Sequence, residues 1–400
     1  MHGGDIYRQA VTLDFSVNIS PLGVPERVRE ALRAAVGRVE EYPDPRHERL
    51  VRALAEFFDV SGNRILVGNG ASELIMAVCH ALRPESAMIT APSFSGYREA
   101  LRAVLPDSRI FRYELRGEVS FLPDEGLVAA VFEKKPDLLI LTDPNNPNGL
   151  LIPPELLRRI LDACGQTGTL LLLDACFMEL AVRDGSRSLT TFFGGSDGSA
   201  GNRFSKPSCE TGGKRGLVLR DFPSRAPWIE LRAFTKSFAI PGVRLGYAVC
   251  SGLALAESVR RHLPEWNLSV FAEEAGLACL AVGDTLQDAR SLILRERTYL
   301  SRELSAIGDG SGKSMIEVCP SDANFLLFRY GPDVRAGRPG LYRQLLDRGI
   351  LIRDCSDYEG LCAGWYRIAV RTHEENEMLV RAIREAAEDI ERRDIKSEDR

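Results

Sequence analysis

Short apolar segments alternate with helical patterns along the first half of this 400-residue chain, and this alternation constrains the fold more than any other feature. The apolar segments read RILVGNG, SAMITAP, DLLILTDP and TLLLLDACF, with helical stretches such as SELIMAVCHAL and PELLRRILDACGQTG between them. Such a strand–helix–strand repeat predicts a mostly parallel central sheet with helices on both faces. The expected fold class is therefore α/β.

The second half of the chain has a different pattern. From about Trp266 it carries two long helical stretches, then the apolar strands NFLLFRY and YRIAVRT, and a closing helix. Because a chain of this length can form two cores, we expect an amino-terminal arm over 1–30, a large domain over 31–262 and a smaller α+β domain over 263–400. Residues 185–227 are rich in Gly, Ser, Lys and Arg, and we expect them to form a mobile insertion.

Composition argues against several functional classes. The formal net charge of −5 gives no reason to expect nucleic acid or an anionic membrane as a partner. Apolar runs such as TLLLLDACFMEL are too short to cross a bilayer, and the chain opens without an apolar signal sequence. Nine cysteines without CxxC pairing favour a reducing cytoplasm, and five histidines without an HExxH motif or a Cys/His cluster argue against a metal site.

One lysine stands out because of its surroundings. In LRAFTKSFAIPGVRLGY, Lys236 lies between Thr235 and Ser237, most flanking residues are apolar, and Arg244 follows a Pro-Gly turn. A lysine in a partly buried cleft loses hydration, and its lowered pKa makes it a better amine nucleophile, as a Schiff-base lysine requires. The alternative is a solvated surface loop.

Three further segments place polar or small residues at the ends of apolar strands. In RILVGNGASELIMAV, the N–H groups near Gly70, Ala71 and Ser72 begin a helix and could bind a phosphate. Asn146 follows the strand in DLLILTDPNNPNGLL, at the sheet edge where ligands collect. Asp174 ends the strand in TLLLLDACF, where a carboxylate needs a cationic partner. Each feature alone is also compatible with a helix cap, a turn-forming asparagine or a structural ion pair.

The four segments together fit one cofactor, pyridoxal 5′-phosphate. Its aldehyde would meet Lys236, its protonated ring nitrogen would pair with Asp174 and its ring hydroxyl would contact Asn146. Its phosphate would lie at the Gly-rich turn, near the hydroxyl of Thr235 and the guanidinium of Arg244.

These motifs resemble the fold-type I aminotransferase superfamily over nearly the whole chain. More narrowly, the chain is similar to the branch that contains histidinol-phosphate aminotransferase and threonine-phosphate decarboxylase. NNPNG and FTKSFAIPGVRLGY carry the resemblance. It implies that Lys236 forms the Schiff base, that Asp174 pairs with the pyridinium nitrogen, that Asn146 contacts the ring hydroxyl, and that the phosphate site includes Gly70, Ala71, Ser72, Thr235 and Arg244. It also implies that Phe94 stacks on the cofactor ring and that Tyr42 reaches the cofactor phosphate of the neighbouring subunit in a homodimer.

One segment departs from the pattern of the superfamily. Where many members have Asp-Glu-Ala followed by an aromatic residue, this chain reads Asp174, Ala175, Cys176 and Phe177. Phe177 is expected beside the cofactor, but it cannot donate the hydrogen bond that a tyrosine gives to the ring oxygen.

The resemblance to the decarboxylases rests on both ends of the chain. HGGDIY and LDFSVNISPLG are similar to their amino-terminal signature, which implies that His2, Gly3 and Asn18 line the substrate site together with Asn146. Arg353 and Arg367 are similar to their two substrate arginines, and a substrate with a carboxylate and a phosphate suits two guanidinium groups. The alternatives are a disordered terminal histidine and two surface ion pairs.

The reaction that this resemblance implies is decarboxylation of L-threonine O-3-phosphate to (R)-1-aminopropan-2-yl phosphate, in cobalamin biosynthesis. Two alternatives stay open. One is an aminotransferase that acts on histidinol phosphate or a related amino acid. The other is a non-catalytic aminotransferase-like sensor, which Lys236, Asp174 and Asn146 together disfavour.

Overall fold

The computed structural model describes residues 3–8, 10–117, 120–183, 219, 225–283, 285–308, 314–337 and 339–398, with side chains up to residue 389. His2 lies outside the described residues. So does the expected insertion at 185–227, apart from residues 219 and 225–227.

The strands and helices alternate as the sequence predicts. The strands are β1 (Leu13–Asp14), β2 (Ile65–Gly68), β3 (Ala87–Ala91), β4 (Ile110–Glu114), β5 (Leu138–Thr142), β6 (Leu170–Asp174), β7 (Trp228–Ala233), β8 (Gly246–Cys250), β9 (Ile316–Val318), β10 (Phe325–Tyr330), β11 (Ile350–Leu351), β12 (Arg353–Asp354) and β13 (Trp365–Ala369). The helices are α1 (Glu26–Ala35), α2 (Glu48–Phe58), α3 (Ala71–Leu82), α4 (Gly96–Arg102), α5 (Glu125–Lys134), α6 (Pro154–Thr167), α7 (Phe234–Ser237), α8 (Leu253–Arg260), α9 (Val270–Leu280), α10 (Thr285–Ser305), α11 (Gly331–Ala336), α12 (Gly340–Asp347) and α13 (His373–Glu398).

The main sheet has seven strands in the order β2-β8-β7-β6-β5-β3-β4. Its neighbouring strands run parallel except around β8, which is antiparallel to both β2 and β7. The central strands β5 and β6 are buried over their whole length, as their continuous apolar sequences require for strands covered on both faces. The predicted α/β class is confirmed.

Alternate residues of the central strands enter two different hydrophobic cores. Leu139 and Leu141 of β5 belong to a core that includes α2, α6 and α9, whereas Leu138 and Ile140 face a core that includes α3, α4 and α8. Because successive strand residues point to opposite faces, this division places helices on both sides of the sheet. The carboxyl edge of the sheet is left open for a ligand.

A second, antiparallel sheet has the order β12-β13-β10-β9. Helices α10, α12 and α13 cover it and share its core, which also holds Phe15 of the amino-terminal arm. Just before Phe15, β1 pairs in parallel with β11, so the arm joins this part of the molecule. The boundaries expected at 30 and 262 remain predictions, and the core of the main sheet extends as far as Ile293 in α10.

Among the described residues, no helix has the length and apolar character needed to span a membrane.

Candidate active site

A cavity of about 830 Å³ lies where the carboxyl ends of β3, β5, β6 and β7 face β12 and β13. Its wall brings together most of the residues that the sequence singled out, although they are far apart along the chain. Those in the wall are Gly3, Asn18, Ala71, Ser72, Phe94, Asn146, Asp174, Phe177, Thr235, Lys236, Arg244, Arg353 and Arg367.

Lys236 lies in α7, the short helix that follows β7. Burial lowers the pKa of its amine to about 8, and the positive charges of Arg367 and Arg244 act in the same direction. The amine lies 5.8 Å from the centroid of the Phe177 ring. A lysine with this pKa has a substantial neutral fraction near pH 7 to 8, as an amine nucleophile requires.

Asp174 ends β6 with its carboxylate held by two donors. The hydroxyl of Tyr97 donates to Oδ2 at 2.6 Å, and the backbone N–H of Cys176 donates to Oδ1 at 3.0 Å. Burial and the negative charge of Asp174 raise the pKa of Tyr97 well above its ordinary value, so this hydroxyl keeps its proton. A carboxylate fixed in this way, only 7 % exposed, suits a cationic partner in the cavity.

Sequence reasoning missed Tyr97 and the place of Cys176 in the cavity wall. Tyr97 follows Phe94 by three residues, and their rings meet edge to face at 5.5 Å. The available signal was the nearness of Tyr97 to Phe94 in the sequence, since Tyr97 lies in the first turn of α4, directly after the segment that carries Phe94. Burial, followed by the negative charge of Asp174, raises the pKa of the Cys176 thiol well above its ordinary value.

The turn before α3 forms a cradle that only glycine permits. Gly70 has φ +81°, and a Cβ on it would lie 2.5 Å from Nη2 of Arg244. The guanidinium of Arg244 therefore lies against the start of α3, where the N–H groups of Ala71 and Ser72 face away from the helix. With the hydroxyl of Thr235, this donor set fits a phosphate group.

Arg353 and Arg367 lie directly opposite each other on the antiparallel pair β12 and β13. They are 7 % and 6 % exposed, so they are not surface side chains. Arg353 forms an ion pair with Asp357 at 2.7 Å. Arg367 pairs with no carboxylate of the described residues. It contacts Oδ1 of Asn146 and donates to the carbonyl oxygen of Ser16 at 2.9 Å.

The amino-terminal arm closes one side of this pocket. A Cβ on Gly3 would lie 2.5 Å from the carbonyl oxygen of Ser16, the same atom that accepts the hydrogen bond from Arg367. Gly4 N–H donates to the Ser16 hydroxyl at 2.7 Å. Asn18 is 2 % exposed, and its Oδ1 has no partner in the described part of the chain.

Tyr42 lies away from the cavity wall. It is 83 % exposed, and its ring meets that of Trp266 at 5.3 Å. Its expected contact needs a second chain and stays a prediction.

A buried ionic cluster beside Lys236 also escaped the sequence analysis. Arg232 of β7 is 2 % exposed and binds Glu179 at 2.7 Å and Glu230 at 2.5 Å. Glu179 lies in the turn that follows β6 and accepts from the hydroxyl of Ser237 at 3.4 Å. The cluster therefore links the segment after Asp174 to the segment that carries the lysine.

The sequence profile described as "Aminotransferase class I and II" matches residues 10–383. The chain belongs to this aminotransferase family. It is therefore a pyridoxal 5′-phosphate-dependent enzyme, and the cofactor predicted from the sequence is confirmed. The site fits that group, since Arg244 and the start of α3 could hold its phosphate, Asp174 could pair with its ring nitrogen and Lys236 is an amine that could react with its aldehyde.

Two individual members with different functions have nearly the same sequence identity to this chain. This aminotransferase-family chain is 34 % identical to the threonine-phosphate decarboxylase of Salmonella typhimurium over 96 % of its length and 95 % of that protein. It is 31 % identical to histidinol-phosphate aminotransferase 2 of Archaeoglobus fulgidus over 93 % and 92 %. The crystal structure of histidinol-phosphate aminotransferase from Sinorhizobium meliloti, in complex with pyridoxal-5′-phosphate, superposes with a TM-score of 0.76 at 22 % identity, covering 95 % of this chain and 92 % of that one.

Proposed function

We propose that this enzyme decarboxylates L-threonine O-3-phosphate to (R)-1-aminopropan-2-yl phosphate and carbon dioxide, as a step in cobalamin biosynthesis. The observation that carries the proposal is the pair of buried arginines that face each other across β12 and β13. Like charges placed directly opposite on a sheet repel each other, and bound anions would offset this repulsion. The proposed substrate carries two anions, a carboxylate and a phosphate.

The cofactor supplies the electron-withdrawing ring that stabilises negative charge at the substrate α-carbon. Asp174, held by Tyr97 and the N–H of Cys176, would pair with the ring nitrogen and favour its protonated form. When the carbon–carboxylate bond breaks, its electron pair stays on the α-carbon, which then needs a proton. Nζ of Lys236, with a pKa of about 8, is suited to return that proton.

Arg353 and Arg367 select the bond that breaks because they hold the substrate anions. If they hold the substrate so that the bond from the α-carbon to the carboxylate is the one activated, carbon dioxide would leave. If they hold it so that the bond to the α-hydrogen is activated, Lys236 would remove that proton and the outcome would be transamination. We propose the first arrangement, and the decarboxylase relative at 34 % identity supports it.

Histidinol-phosphate aminotransferase is the second candidate, and the relative at 31 % identity favours it. Purified protein is incubated with L-threonine O-3-phosphate while carbon dioxide is measured, and separately with histidinol phosphate while 2-oxoglutarate consumption is measured. We expect carbon dioxide release without a keto acid. Keto-acid-dependent turnover with no carbon dioxide would contradict decarboxylation and support the aminotransferase.

A variant at the anion site tests the same proposal. Arg367→Ala leaves Lys236 in place, so the yellow colour of the bound cofactor should remain while substrate binding weakens. A bidentate contact with a carboxylate is worth about 1.5–3 kcal/mol, which predicts at least a tenfold rise in KM. Normal substrate affinity in the coloured variant would refute the role given to Arg367.

We also propose that the enzyme is a cytoplasmic homodimer. Tyr42 and Trp266 form an exposed aromatic pair, and Val36 and Val39 in the same region are each 58 % exposed, which is the composition of an interface. The cysteines of the described residues are unpaired, which fits a reducing compartment. Light scattering measures the mass, and Tyr42→Ala should lower cofactor affinity if the residue reaches the cofactor of the partner subunit.

A further inference from the structure

We propose that Tyr358 is a positioning residue that joins Arg353, Arg367 and Asn146 into one substrate-binding unit. The inference rests on the two-anion site of the proposed function. Tyr358 lies in the cavity wall, in the loop between β12 and β13. It is the side chain in that loop that contacts all three.

The two ends of the Tyr358 side chain serve different arginines. The guanidinium of Arg353 lies over the ring face at 5.0 Å from the centroid. The hydroxyl receives a hydrogen bond from Nη1 of Arg367 at 3.4 Å and donates to Oδ1 of Asn146 at 3.3 Å. A cation over an aromatic face is attracted to it, so the ring supports Arg353 while the hydroxyl supports Arg367.

Arg367 and the Tyr358 hydroxyl together define which way the Asn146 amide points. A guanidinium has only donors, so the amide atom that faces Arg367 must be the oxygen. The Tyr358 hydroxyl supplies a second donor to the same oxygen. Nδ2 of Asn146 is therefore the atom left to donate to a ligand. Phe177 has no hydrogen-bonding group, which increases the importance of this amide in the wall.

Ion pairs of the residues directly before and after Tyr358 hold the loop that carries it. The residue before it, Asp357, is ion-paired with Arg353 at 2.7 Å. The residue after it, Glu359, contacts Arg98 of α4 and lies 3.4 Å from Arg112 of β4. These contacts cross from the second sheet to the main sheet, so the position of the Tyr358 ring is fixed relative to both.

Arg367 retains two of its five N–H donors for a ligand. Oδ1 of Asn146 and the hydroxyl of Tyr358 accept from Nη1, and the Ser16 carbonyl accepts from Nη2, which leaves the second N–H of Nη2 and the buried Nε–H without a partner in the described part of the chain. A substrate carboxylate that accepts from both of these donors needs the guanidinium in one orientation. Loss of the Tyr358 hydroxyl removes one of the groups that set this orientation.

The test measures equilibrium binding rather than turnover. Cofactor-loaded protein is titrated calorimetrically with two probes that lack an amine: inorganic phosphate, and 4-phosphonobutyrate, whose two anions are spaced as in L-threonine O-3-phosphate. The proposal places the substrate phosphate at Arg353 and the carboxylate at Arg367. Tyr358→Phe keeps the ring under Arg353, so the Kd for phosphate should change by less than about twofold. The Kd for 4-phosphonobutyrate should rise by about tenfold, because the carboxylate end loses its alignment.

Two further variants separate positioning from a general effect on the fold. Tyr113→Phe removes a hydroxyl that bonds to Asp124 outside the cavity wall, and both Kd values should match those of wild type. Tyr358→Leu removes the ring as well, and we expect phosphate to bind more weakly too.

The possible results distinguish a failure of the role proposed for Tyr358 from a failure of the two-anion site. If Tyr358→Phe binds 4-phosphonobutyrate as tightly as wild type, or weakens both probes by the same factor, Tyr358 does not position the carboxylate site. Wild-type protein that binds 4-phosphonobutyrate no more tightly than phosphate would contradict the two-anion site and, with it, the proposed substrate.

Discussion

Asp143 gives a quantitative test of the electrostatics next to the site. The residue follows β5 and is 3 % exposed, and its Oδ1 accepts a hydrogen bond from the N–H of Ile152 at 2.8 Å. Burial raises its pKa from 3.8 to about 7, since the single backbone donor and the charge of Arg183 do not offset the loss of water. It is not in the cavity wall, so changing it leaves the ligand contacts in place.

The raised pKa of Asp143 determines whether the protein gains or loses stability as the pH rises. A raised pKa in the folded state means that the associated stability is complete below pH 3.8 and is lost as the pH rises through about 7. A shift of about three pKa units can change the free energy of unfolding by at most about 4 kcal/mol. Between pH 5 and pH 8, linkage predicts a loss of about 2–3 kcal/mol from this one carboxyl group.

Asp143→Asn removes the titration but keeps an oxygen that can accept from Ile152. We expect the variant to gain about 2–3 kcal/mol in the free energy of unfolding relative to wild type as the pH rises from 5 to 8. Urea unfolding of both cofactor-loaded proteins at the two pH values, followed by tryptophan fluorescence, measures the difference. Asp347→Asn, at an exposed position, controls for the loss of one negative charge. A difference between Asp143→Asn and wild type that is the same at both pH values would refute the reasoning.

Three further changes test the cofactor site. Lys236→Ala removes the amine predicted to bind the cofactor and should abolish both turnover and the yellow absorbance; a coloured variant would exclude Lys236 from that role. Gly70→Ala strains a residue at φ +81° and displaces Arg244. The Kd for the cofactor should therefore rise about tenfold, which corresponds to about 1–2 kcal/mol. In the control Gly252→Ala the new methyl group meets open space, and the Kd for the cofactor should not change. Tyr97→Phe removes one donor from Asp174 and should lower kcat about tenfold without lowering Tm by more than a few degrees; an unchanged kcat would show that the N–H of Cys176 suffices.

The sequence predicted those features that depend on local pattern. Continuous apolar strands predicted the buried centre of the sheet, and polar residues directly after them predicted that Asn146 and Asp174 would lie at one edge. The apolar residues that flank Lys236 predicted the partly buried position that the structure gives it. These signals lie within a few residues of the group that they identify.

The contacts that tune the site could not be predicted in the same way. Tyr97 reaches Asp174 across 77 residues, and Tyr358 reaches Asn146 across 212. The opposition of Arg353 and Arg367 depends on strand register, which a spacing of fourteen residues does not reveal. The same holds for Arg232 and Glu179, whose side chains meet only after two neighbouring strands have paired.

The hydrogen bond from Arg367 to the carbonyl of Ser16 joins residues 351 apart in sequence. At a typical synthesis rate of about 5–20 residues per second, roughly 20–70 s pass between the appearance of the first and the second on the ribosome. The arm around Ser16 must wait through that interval without its partners on β11 and β13, while the main sheet can already form around the nascent lysine. A chain that ends before β13 therefore has Lys236 but lacks Arg367, so the pair of buried arginines is complete only when the last strand of the second sheet has been made.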